Sequence, residues 1–68
     1  MAERLQNRIR EERDKRGWTQ AELAARIGVS RKTINTVENG VFVPSTMIAL
    51  KLAQALNVPV EELFSIER

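Results

Sequence analysis

Residues 19–40 have the sequence TQAELAARIGVSRKTINTVENG, in which two short helical patterns flank a glycine. Thr19 with Glu22 three residues later forms a capping-box pattern, and Ser30 is a favoured N-cap for a second helix. Gly28 accepts the positive φ that a sharp turn requires. The segment therefore predicts a helix-turn-helix, with helices at 20–27 and 31–39.

The apolar residues of this segment are spaced so that the two helices can pack on each other. Ile34 and Val37 stand at i and i+3 on the second helix, where they can face Leu23 and Ile27 of the first. Ala24 is small enough to let the helices approach closely. This spacing is a packing requirement of the predicted motif.

The second helix has a polar outer face. On a helical wheel its polar residues fill one arc of about 140°, opposite Ile34 and Val37. The members are Arg31, Lys32, Asn35, Thr36 and Asn39. Arg and Lys can contact guanine, Asn can pair with adenine, and the Thr methyl can touch thymine. Solvated faces are also polar, but the capped turn and the lack of acidic residues on this arc favour binding to double-stranded DNA.

The charge of the chain is asymmetric. The 68 residues carry a net charge of +2, but residues 1–32 are +4 and residues 33–68 are −2. We therefore expect non-specific affinity for phosphates to come from the first two helices and the start of the third.

Several short motifs resemble one family. They are TQxELA at 19–24, ENG at 38–40, PS at 44–45 and AxALNV at 53–58. Together they resemble the phage repressor and Cro-type (XRE family) helix-turn-helix transcriptional regulators over nearly the whole chain. The resemblance implies one all-α domain, 1–68, with helices at about 2–16, 20–27, 31–39, 46–56 and 60–65. It also implies that the third helix enters the major groove.

The resemblance also implies roles for individual residues. Gln20 would clamp a phosphate, so that its replacement weakens binding to all sequences alike. The predicted base-reading residues are Arg31, Lys32, Asn35 and Thr36. The predicted phosphate contacts are Thr19, Gln20, Thr33 and Asn39. Arg13 and Glu38 are expected to form a structural ion pair, because a carboxylate beside Ile34 would be costly without a partner.

Glu12, on the first helix, and Trp18, between the first two helices, depart from the family pattern. Glu12 occupies a place where the first helix commonly has Leu, so either that helix packs less tightly or Glu12 has a basic partner. Trp18 stands where an aliphatic core residue is usual. We expect Trp18 to pack rather than to stack on bases.

The loop after Gly40 is apolar where the family often has polar residues. Its consecutive apolar residues, with Met47 nearby, indicate either that Phe42 folds inward onto the core or that the group forms part of a homodimer contact. A two-fold dimer would read half-sites about 34 Å apart, or a multiple of that distance, on an inverted repeat. The candidate dimer residues are Val41, Phe42, Val43 and Met47, with Phe64 and Ile66 as a second surface.

Composition excludes several other classes. With no Cys and no His, the chain has no zinc or disulfide pattern, and we expect no metal, no cofactor and no enzymatic activity. No apolar run resembles a signal peptide or a membrane span, which favours a cytoplasmic protein without membrane contact. The competing class is a protein-interaction module, such as an antitoxin with a toxin partner or a restriction-modification controller.

Overall fold

A computed structural model describes residues 3–67 of the chain. It contains five helices and a two-stranded sheet. In chain order these are β1 (Arg4–Asn7), α1 (Ile9–Lys15), α2 (Gln20–Ile27), α3 (Arg31–Glu38), α4 (Thr46–Leu56), α5 (Val60–Leu63) and β2 (Phe64–Glu67). The five-helix repressor-like architecture predicted from the sequence is present.

The first helix begins later than predicted. The expected start at residue 2 lies outside the described residues, and Arg4–Asn7 forms a strand instead of helix. The Asn7 side-chain oxygen accepts the backbone N–H of Ile9, 3.1 Å away, so the helix begins after this residue. Pairing with the distant end of the chain overrides the helical pattern.

The last helix ends two residues earlier than predicted, at Leu63, because Phe64 is extended and begins β2. The two strands are antiparallel, with Leu5 opposite Ile66 and Asn7 opposite Phe64. The sheet thus joins the two ends of the described chain. It adds a β element to a fold that the sequence predicted to be entirely helical.

The core lies where the five helices meet. Its buried apolar residues are Ile9, Leu23, Ala24, Ile27, Ile34, Val37, Leu52, Ala53, Leu56 and Leu63. Trp18 is half-buried against this core, as expected, and the Arg26 guanidinium lies over its ring at 3.9 Å from the centroid. No described helix has the length and apolar character needed to cross a bilayer.

The predicted caps define where α2 begins and ends and where α3 begins. Thr19 and Glu22 form both hydrogen bonds of a capping box, and the Ser30 side chain accepts the backbone N–H of Thr33. Gly28 ends α2 in the left-handed region with φ 74°. A side chain there would be strained, so the turn depends on glycine.

Glu12 is buried, and it has basic partners. Lys15 Nζ lies 3.1 Å from its Oε2 and Arg16 Nη1 lies 3.1 Å from its Oε1. Of the two alternatives for Glu12, looser packing of the first helix or a basic partner, the structure shows the basic partner. Arg16 also donates to the Leu56 carbonyl, so the cluster ties α1 to the end of α4.

Candidate nucleic-acid interface

One side of α3 is held against the protein and the other is open. Ile34 and Val37 are buried in the core beneath α2. The side chains that remain exposed on the opposite side are Arg31, Lys32, Asn35 and Asn39. The structure therefore brings four of the residues singled out by the sequence onto one solvent-facing surface.

Within the described part of the chain, the cations of this surface have no side-chain partners. Neither Arg31 nor Lys32 forms an ion pair or side-chain hydrogen bond with any residue between 3 and 67. The sole carboxylate of α3 is Glu38, whose side chain is 2% exposed. An approaching polyanion would consequently meet positive charge without a competing carboxylate on this helix.

Glu38 is held by Arg13 beneath the surface. Arg13 Nε donates to Glu38 Oε2 at 2.9 Å and Arg13 Nη2 to Oε1 at 3.3 Å. A third donor, Nη1, reaches the Trp18 carbonyl at 2.8 Å. The hydrogen bond to Glu38 raises the pKa of Arg13, against a smaller effect of burial. The pair joins α1 to the end of α3.

A series of side-chain hydrogen bonds between amides links this ion pair to the exposed face of α3. Gln20 Nε2 donates to Glu38 Oε1 at 3.2 Å, and Asn35 Nδ2 donates to Gln20 Oε1 at 3.4 Å. Asn39 Nδ2 donates to Asn35 Oδ1 at 3.3 Å. We name this chain of contacts, Arg13–Glu38–Gln20–Asn35–Asn39, the amide relay.

The threonine hydroxyls of the site form hydrogen bonds within their own helices or helix caps. Thr36 is half-buried and its hydroxyl bonds the carbonyls of Lys32 and Thr33, each at 3.0 Å. Its hydroxyl is thus committed to the backbone, which leaves the methyl group as the part suited to a base contact. Thr33 shares a 3.0 Å contact with Ser30, and Thr19 caps α2.

Two residues near the site escaped the sequence analysis. Asn7 donates to the Val37 carbonyl at 2.9 Å, which fastens β1 to the end of α3. Leu50 is exposed one turn beyond Met47 on α4. The i, i+3 spacing of Met47 and Leu50 could have indicated the exposure of Leu50. No local pattern indicated the contact between Asn7 and α3.

The loop after α3 carries an apolar surface. Phe42 is 47% exposed, so it does not fold inward onto the core. We name the exposed group Val41, Phe42, Val43, Met47 and Leu50 the apolar patch. The two residues of the second predicted dimer surface differ, because Ile66 is 59% exposed whereas Phe64 is half-buried and packs on the core.

Residues 9–63 match the helix-turn-helix family. The chain belongs to this family. An uncharacterized HTH-type transcriptional regulator of Archaeoglobus fulgidus is 47% identical over 60 residues, which cover 88% of this chain and 86% of the relative. The Bacillus subtilis HTH-type regulator YgzD is 35% identical over 63 residues, covering 93% and 96%. The phage repressor and Cro type inferred from the motifs is thereby confirmed.

Two solved structures with the same fold illustrate the similarity. The restriction-modification controller C.AhdI of Aeromonas hydrophila has a TM-score of 0.76 and 38% identity, covering 81% of this chain and 83% of its own. A chain of the SinR/SinI complex has a TM-score of 0.73 and 30% identity, covering 78% and 52%. The chain is thus a transcriptional regulator with a DNA-binding fold, in a family that is not an enzyme class.

Proposed function

We propose that this regulator binds a specific duplex sequence by inserting α3 into the major groove, and that it acts as a repressor. The observation that carries the proposal is the exposed surface of α3, where two unpaired cations and two amides stand on one side without an exposed carboxylate. Major-groove edges offer the acceptors and donors that such groups read.

Each side chain has a role in this arrangement. Arg31 and Lys32 read guanine O6 and N7, Asn35 pairs with adenine, and the Thr36 methyl touches thymine. The phosphate contacts come from the ends of α2 and α3, through Thr19, Gln20, Thr33 and Asn39. Gln20 retains one amide N–H for a phosphate, since only the other is engaged with Glu38.

Selection of bound duplexes from a random pool tests the proposal directly. We expect a short motif in which Arg31→Ala relaxes the preference at one position and costs about 1–3 kcal/mol on the selected site. Thr33→Val serves as the comparison, because loss of a phosphate contact weakens binding to all sequences alike. Absence of any complex at low salt would overturn the proposal.

We further propose that a second copy of this chain covers the apolar patch. A module of this size reads only a few base pairs, and a two-fold dimer doubles the contact area and the length of the site. The five residues of the patch fall within residues 41–50, in the α3–α4 loop and the first part of α4, and soluble monomers rarely expose large apolar patches. The operator would then be an inverted repeat.

Sedimentation of matched variants locates the dimer contact. We expect Phe42→Asp to be monomeric, and Ile66→Asp, which is more exposed and lies on β2, to remain dimeric. Circular dichroism establishes that both variants are folded. If folded Phe42→Asp still dimerises, the apolar patch is excluded as the dimer contact. If Ile66→Asp is monomeric in that case, the dimer contact lies on β2.

A partner protein is the second candidate for the patch. The similarity to C.AhdI and to a chain of the SinR/SinI complex favours it, since the first is a restriction-modification controller and the second is found with a protein partner. An antitoxin bound to a toxin would use the surface in the same way. A neighbouring gene for a restriction enzyme or a small toxin, together with a monomeric wild type, would select this candidate.

A further inference from the structure

We propose that Glu38 is a positioning residue for base reading, because it fixes the orientation of the Asn35 amide through Gln20. The inference rests on the proposed function and concerns how Asn35 is oriented to read a base. Glu38 itself does not reach the open face, since its side chain is 2% exposed. Its effect on DNA would therefore be transmitted by the amide relay.

The direction of the relay follows from chemistry at its buried end. A carboxylate facing a guanidinium accepts hydrogen bonds and donates none, so Gln20 must turn its NH₂ group toward Glu38. Gln20 then presents its carbonyl oxygen to Asn35. Asn35 must in turn direct its NH₂ group toward Gln20 and its oxygen toward Asn39.

This orientation leaves Asn35 ready to read a base. An amide has two N–H donors and two acceptor lone pairs, and the relay uses one of each. Because Asn35 is exposed, the remaining donor and lone pair are available to a ligand. Adenine offers the complementary groups, because its N7 accepts and its N6 amino group donates.

Glu38→Gln should reverse the relay without removing a side chain. The new amide accepts from Arg13 Nε with its oxygen, gives up the 3.3 Å contact with Arg13 Nη2, and offers its NH₂ group to Gln20. Gln20 and Asn35 then turn over in sequence, so that donor and acceptor exchange places on the open face. Gln20→Met has a simpler effect, since it removes the central contact while Arg13 and Glu38 remain paired.

Binding to duplexes that differ at one base pair tests the prediction. The position read by Asn35 is the one whose preference is lost in Asn35→Ala. We expect Glu38→Gln and Gln20→Met each to reduce the preference for adenine there by about tenfold, while the preference assigned to Arg31 is retained. If Gln20 acts only as a phosphate clamp, Gln20→Met weakens all duplexes equally, and that result overturns the inference.

Glu12→Gln is the matched control. It makes the same chemical change in a buried, ion-paired carboxylate that lies outside the relay. We expect it to preserve both base preferences. Equal loss of adenine preference in Glu12→Gln and Glu38→Gln would overturn the inference, because general loosening of the fold would then explain both.

The relay can also be observed without DNA. In the ¹⁵N-labelled protein, the Asn35 side-chain amide signals, assigned by their loss in Asn35→Asp, should shift in Glu38→Gln and Gln20→Met and stay in place in Glu12→Gln. Unchanged signals overturn the relay. If the wild type binds no duplex, the proposed function has failed, and these signals decide the orientation of Asn35 separately.

Discussion

The chain buries two glutamates in ion pairs, and they differ in what they connect. Glu12 meets Lys15 and Arg16, three and four residues away on the same helix. Glu38 meets Arg13 and Gln20, which lie 25 and 18 residues away on other helices. Their side chains are 8% and 2% exposed.

The Glu12 ion pairs are local in sequence, whereas the Glu38 ion pair depends on the tertiary structure. A carboxylate with cations one turn away keeps its partners whenever the helix forms, so the Glu12 cluster mainly stabilises α1 and its contact with α4. The Glu38 pair exists only when α1, α2 and α3 are assembled. Loss of one partner there leaves a buried charge alone, whereas Glu12 has several cations in reach.

Removal of Arg13 should have the largest effect on stability. We expect Arg13→Met to lower the free energy of unfolding by about 3–5 kcal/mol, because Glu38 is left buried without its cation. The double variant Arg13→Met/Glu38→Met should lose less, since no charge is then stranded. Urea unfolding followed by circular dichroism measures both, and a double variant as unstable as the single one would contradict the comparison.

Glu12 should show its contribution as a dependence on pH. The hydrogen bonds from Lys15 and then Arg16 lower its pKa below the ordinary 4.5, against an opposing effect of burial. Its stabilisation is therefore complete above the unfolded pKa and is lost as pH falls through the lower folded pKa. We expect wild type and Glu12→Gln to differ in urea midpoint at pH 7 and to converge below pH 4.5.

Glu22 supplies a reference in the same titration. The backbone N–H of Thr19, followed by its hydroxyl contact, lowers the Glu22 pKa in the capping box. Glu12→Gln should consequently keep part of the acid-induced loss of stability. A variant whose stability no longer changes between pH 7 and pH 3 would assign the whole effect to Glu12 and contradict this account.

Arg8 should have the smallest effect. It lies at the rim of the Glu12 cluster, 3.7 Å from the carboxylate, and its side chain is half exposed. Solvent screens such a pair, and Lys15 and Arg16 remain on Glu12 when it is removed. We expect Arg8→Ala to leave the urea midpoint unchanged within error. A loss of stability close to that of Arg13→Met would contradict the distinction between the two glutamate sites.

Local patterns predicted α2 and α3 with their N-caps and the extent of α4, since caps and helical spacing depend on residues within a few turns. The chain ends were harder. Arg4–Asn7 reads as the start of a helix, and only its pairing with Phe64–Glu67 makes it a strand. The exposure of Phe42 likewise depended on whether the core had space for it, which periodicity cannot indicate.

The sequence by itself determined the helix-turn-helix, the polar face of α3 and the family, because capping, helical spacing and short motifs act over a few residues. Only the tertiary structure decided the sheet, the exposure of the apolar patch and the amide relay. Each of these joins residues distant in the chain, and their contacts depend on how the assembled helices position side chains to within an ångström.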